Sequence, residues 1–185
     1  MKSKVFSWTS RSIAVLLVLA ATAGALAENP KSKTYTGVMN AYSPQTTATG
    51  PYEIRGPWWL KVYGDTGKAD FYTALNMELS DGWAITKNKG NFDPNARGAH
   101  THHITLTGAE VTPIANGFRV NGTAKFTLNG GPAPASIEPS AVVIEITGGA
   151  NVEFSNISLT FLAPGSGHFG AEPLPGVVQG IQEDK

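Results

Sequence analysis

Beyond residue 27, apolar and polar positions alternate with a period of two in several runs, which is the pattern of strands with one wet face. In FRVNGTAKFTL, Phe118, Val120, Ala124, Phe126 and Leu128 share a face with Gly122, while Arg119, Asn121, Thr123, Lys125 and Thr127 oppose them. Ala69, Phe71, Thr73, Leu75, Met77 and Leu79 form a second apolar row, with Asp70, Asn76 and Glu78 opposite. The same alternation runs through Val142, Ile144 and Ile146, through Ile157, Leu159 and Phe161, and through Trp58, Leu60 and Val62. A further strand is expected over residues 34–41.

Turn chemistry separates these runs. GDTG at 64–67 and Asn116-Gly117 read as tight hairpin connections, TGGAN at 147–151 as another, and the Pro-rich 129–140 as a longer loop. Val152 and Phe154 are out of phase with Ile157, so a slip is expected at Ser155-Asn156. Helix patterns are nearly absent, and no internal repeat or second domain is visible. The fold class is therefore all-β and antiparallel. Strands this long, one of them with a mid-strand glycine, predict a closed β-barrel, with a β-sandwich as the alternative. The polar tail from Gln179 is expected to fray.

Residues 1–27 stand apart from this pattern. Lys2, Lys4 and Arg11 precede the apolar run IAVLLVLAATAG, which is short for a membrane span, and the segment ends in Ala-Leu-Ala. This order predicts a signal peptide over 1–27 and a single β-barrel domain over 28–185, exported to the periplasm or secreted, with no membrane span in the mature form. Three of the fourteen basic residues lie in the leader, leaving eleven against fourteen acidic residues, a net of about −3. Lys and Arg are scattered, which argues against nucleic acid and against a membrane surface. The chain has no cysteine, so the core alone must hold an exported fold together, and a bacterial source fits best.

Candidate chemistry concentrates in two short motifs. Of four histidines, three lie in GAHTHHITL and the fourth, His168, in GSGHFG. Strand phase puts His100 and His102 on the inward face with Ile104 and Leu106, and His103 outward among threonines. Two imidazoles at i and i+2 on one strand face can converge on one ion, and His168 is the only histidine left to complete the set. Gly165, Gly167 and Gly170 would let its loop approach closely. The implied cofactor is one divalent metal ion, Zn, Cu, Fe or Mn. The competing readings are a metal-free ligand pocket and a set of hydrogen-bonded rim residues.

His103, Glu78 and Asp81 are possible additional ligands, although acidic residues near strand ends are usually just solvated. Trp58 and Trp59 are candidate ligand-stacking rings, and alternation sends one inward and one outward. Cupins also place H-x-H on a barrel strand, but Leu106 and Thr107 stand where the cupin acid would follow, so no cupin activity carries over. HTHHITL, SNISLTF and HFGAEPLPGVV together resemble small exported bacterial β-proteins sharing the HTHH and HFG motifs. That resemblance covers the latter half of the chain and implies no activity.

Three functional classes follow. The first is a binding protein with a histidine-lined metal or small-molecule site. The second is an enzyme, of hydrolase, isomerase or cyclase type, using the same residues through a metal or as acid and base. The third is a structural cell-surface protein. Binding ranks first because no second catalytic group is visible.

Overall fold

The computed structural model describes residues 32–42, 52–79, 99–148 and 156–184. The alternating runs become β1 (Ser32–Tyr42), β2 (Tyr52–Tyr63), β3 (Lys68–Leu79), β4 (His100–Ile114) and β5 (Gly117–Leu128). They continue as β6 (Gly131–Pro132), β7 (Ser140–Thr147) and β8 (Asn156–Phe161), then a one-turn helix, α1 (Ser166–Phe169), and β9 (Leu174–Asp184). Eight of the strands close an antiparallel up-and-down barrel, each pairing with the next in the chain and β9 returning to β1. The ninth, β6, is a two-residue rung on the end of β5. No described helix is long and apolar enough to cross a membrane.

The inward rows are the ones the alternation defines. Phe71, Thr73, Leu75 and Met77 of β3 are buried, as are Val120, Ala124 and Phe126 of β5, Val142, Ile144 and Ile146 of β7, and Ile157, Leu159 and Phe161 of β8. An eight-stranded barrel has an interior just wide enough for such side chains to fill it, so these rows meet as one core.

One irregularity shapes the wall. Gly108 takes a positive φ of 63° and inserts a bulge into β4, shifting its register against both β3 and β5. The inward set changes there from His102, Ile104 and Leu106 to Ala109. Asp70 fixes the bulge, accepting the Gly108 N–H at 2.8 Å on one carboxylate oxygen and the Tyr63 hydroxyl at 2.8 Å on the other. Gly122 lies opposite on β5, where a Cβ would come within 2.9 Å of Leu106 and Ala109. The missing side chain lets the wall fold inward at this corner.

The C-terminal tail departs from expectation. It does not fray at Gln179; β9 runs to Asp184 and pairs with β1 along most of its length. Pro175, Gly176 and Gly180 give this stretch little strand propensity, and the ladder to β1 supplies what composition lacks. Its end is fastened by Ser32 Oγ donating to Asp184 at 2.6 Å and by Lys61 bonding the same carboxylate at 3.0 Å. The slip expected at Ser155-Asn156 involves Val152 and Phe154, which lie outside the described residues.

Candidate metal centre

The start of β4, the end of β5, the start of β7 and α1 meet at one end of the barrel. At this end β4 is held by Asn129, in the Asn-Gly turn between β5 and β6. The Asn129 N–H donates to the Thr101 carbonyl at 2.8 Å, and its Oδ1 accepts the Thr101 N–H at 2.9 Å. Thr101 sits between His100 and His102, so both imidazoles project inward from a fixed stretch of backbone.

His168 arrives from the opposite wall on α1. The helix is latched to β7 by Ser140, a fully buried hydroxyl. Ser140 Oγ donates to the Ile137 carbonyl at 2.6 Å and accepts the Gly165 N–H at 2.6 Å. A Cβ on Gly165 would lie 2.6 Å from that Oγ, so glycine is needed for the latch to close. Gly170 ends the turn at φ 88°, while Gly167 faces open space. Two of the three flanking glycines thus have a local reason, and the reasons differ.

The geometry brings His100, His102 and His168 together. His168 Nε2 lies 3.0 Å from His102 Nε2 and 3.1 Å from His100 Nε2. One ligand nitrogen from each residue lies within 4.8 Å of the other two. Zinc–imidazole bonds of about 2.0–2.1 Å in a tetrahedral arrangement place the nitrogens roughly 3.3 Å apart, so the two separations from His168 are within a few tenths of an ångström of those in a zinc site.

The proton positions are compatible with a cation held among the three rings. His102 Nδ1 is 2.9 Å from the Thr127 carbonyl, which can only accept. The proton of His102 is therefore on Nδ1, and its Nε2 is a bare lone pair. His168 Nε2 faces two nitrogens at once, and a single proton can make a straight bond to only one. A positive ion at the centre could be held by all three nitrogens with His100 and His168 in the same tautomer as His102.

The surroundings keep His102 and His168 neutral. His102 is 1% exposed, and burial is the main reason its pKa is pushed down to about 4, helped by His100 and His168 and opposed by the Thr127 bond. Burial likewise lowers His168 to about 4, with a smaller contribution from His100. The wall is aromatic. Phe169 packs edge-on against His102 at 5.1 Å and stacks on Phe161 at 4.1 Å, and Tyr52 meets His100 edge-on at 5.3 Å.

The other sequence candidates lie elsewhere. His103 is on the outer face, its Nδ1 2.6 Å from the Tyr72 hydroxyl. Glu78 is exposed on the outside of β3, opposite Glu53 of β2, and Asp81 lies outside the described residues. Trp58 points into the core at 2% exposure and Trp59 outward at 38%, so the two rings do not form one ligand surface. Trp59 stacks on Tyr72 at 6.2 Å, and the Trp58 Nε1 has no hydrogen-bond partner among the described residues. Sequence reasoning missed the Thr127 carbonyl, Ser140, Tyr52 and Phe169. Only Phe169, beside His168, carried a signal.

No protein-family model matches this chain, and no curated protein or solved structure matches it either.

Proposed function

We propose that this protein is an exported β-barrel that binds one divalent transition metal ion, zinc in the first instance, through Nε2 of His100, His102 and His168. The observation that carries this reading is the His102 Nδ1–Thr127 bond. It fixes the tautomer whose free nitrogen faces His168, as carbonyls bonded to the far nitrogen of metal-bound histidines commonly do. The basic, apolar, small-residue order before Glu28 supports export, and the absence of cysteine supports a bacterial source.

An enzymatic reading of the same centre has one observation in its favour. The cluster among the described residues supplies three protein ligands rather than four, the number typical of zinc sites that keep a position open for chemistry.

The test is elemental analysis of untagged protein refolded with zinc, copper, iron or manganese and then dialysed. One metal per chain is expected. It should be lost in His102→Ala and His168→Ala, strongly reduced in His100→Ala, and kept in His103→Ala. Wild-type protein that holds none of the four metals would end this reading.

A further inference from the structure

We infer that the open coordination position of this centre takes a small anion, so that the molecule presented to the metal is an anion or binds through an anionic group. The inference rests on the metal reading above and concerns what completes the site. All three donors are imidazoles, which ligate as neutral groups. Tyr52 and Phe169 pack against these imidazoles, Phe126 and Phe161 stack behind Phe169, and all four rings are buried. A divalent ion held by this set keeps both positive charges while facing an apolar wall. Uncompensated charge beside such a wall is costly, whereas thiolate or carboxylate ligands would have cancelled it from within the protein. Among the described residues no carboxylate joins the ligand set, so the compensation falls to the incoming ligand.

The exposure of the cluster gives that ligand a side to enter. His102 and Phe169 are buried and form the floor, while His100 and His168 are half-buried and face the mouth, with Ala99 and Gly167 exposed beyond them. A Cβ at Gly167 would meet nothing within 4 Å, so among the described residues the approach beside His168 is clear. An anion arriving there meets the metal on its open side and finds apolar ring surface behind it. Hydroxide and carboxylate share this chemistry, and the choice of probes separates an organic from an inorganic source.

Cobalt(II), whose visible spectrum reports its coordination, serves as the test ion. Untagged, full-length protein loaded with cobalt would be titrated near neutral pH and at constant ionic strength. The probes are sodium azide, sodium acetate, non-coordinating perchlorate and neutral acetonitrile. Azide and acetate should shift the visible bands saturably and bind roughly tenfold or more tightly than acetonitrile, a difference of about 1.4 kcal/mol, while perchlorate should leave the spectrum unchanged. His100→Glu places a negative charge inside the ligand set at a half-exposed position, and its cobalt form should bind azide roughly tenfold more weakly. Stoichiometric cobalt with a spectrum unmoved by any anion would overturn the inference and leave metal binding standing. The same azide affinity in cobalt-loaded His100→Glu would also overturn it. Wild-type protein that holds neither cobalt nor any of zinc, copper, iron and manganese would remove both readings together.

Discussion

Ser140 gives the sharpest test of how the barrel holds its centre. Its hydroxyl is completely buried, donates to the Ile137 carbonyl and accepts from the Gly165 N–H, both at 2.6 Å. In Ser140→Ala both backbone groups lose their partner. The Gly165 backbone is enclosed between β7 and α1, so water cannot replace the hydroxyl without opening the helix. A buried group left unsatisfied costs about 1–3 kcal/mol, and partial relaxation of the turn recovers some of that, so a total loss of about 2–4 kcal/mol is expected. A domain of ordinary stability, about 5–15 kcal/mol, would still fold.

The second consequence separates a latch from a mere core contact. Loosening Gly165 frees α1 and with it His168, so zinc affinity should fall about tenfold, the lower end of what outer-shell changes do to metal sites. Urea midpoints with chelator measure the first effect, and competition against a chromophoric zinc chelator measures the second. Lys125→Ala, on the outer face of β5, is the control and should change stability by less than about 0.5 kcal/mol. If Ser140→Ala loses no more than that control, the latch is not holding the turn. If it loses stability but binds zinc at full affinity, α1 does not depend on Ser140 to place His168.

Other outcomes follow from the same arrangement. Metal-free protein should lose stability as pH falls from about 6.5 toward 4, because the unfolded chain takes up protons on His102 and His168 that the fold holds off; chelator-treated urea midpoints in wild type and in His102→Gln/His168→Gln, which should flatten the curve, check the sign. Phe169→Ala should cost about 3–5 kcal/mol, since the ring is fully buried and stacked on Phe161, and a loss like that of Lys125→Ala would mean that α1 is not packed on the core. Gly122→Val should cost about 1–3 kcal/mol by overlapping Leu106 and Ala109, read from thermal or urea midpoints. Intact mass of protein exported by its native host, from periplasm or medium, should show a chain beginning at Glu28, and retention of the first 27 residues would remove the argument for export.

Most of the wall was legible because each strand of a barrel has one dry face, and a period of two reports that face directly. It placed Phe71, Ile144 and Phe161 inside, and it separated His102 from His103 across one peptide bond. The same logic failed at β9, where Pro175, Gly176 and Gly180 interrupt the pattern and the strand exists because β1 offers it a ladder. Such a strand is a property of its partner, and no window of its own sequence reports it. The extent of β4 was hidden for a related reason. The bulge at Gly108 resets the phase, so Ala109 and Val111 read as out of step with Ile104 until the extra residue is seen.

The site divides along the same line. Histidine is a rare residue with few structural duties, so its clustering in two motifs could be seen without any structure. What orients the imidazoles is backbone: the Thr127 carbonyl that sets the tautomer of His102, the Thr101 amide and carbonyl held by Asn129, and the Gly165 amide held by Ser140. Every residue carries an amide and a carbonyl of this kind, proline lacking only the N–H, so the sequence does not mark the few that matter. They become specific only when the barrel closes and brings residues 127 and 168 to the start of β4. The chemistry of the centre is therefore written in side chains, whereas its preorganisation depends on topology. Substitutions far from the histidines that shift β5 against β4 should alter metal affinity without touching a ligand.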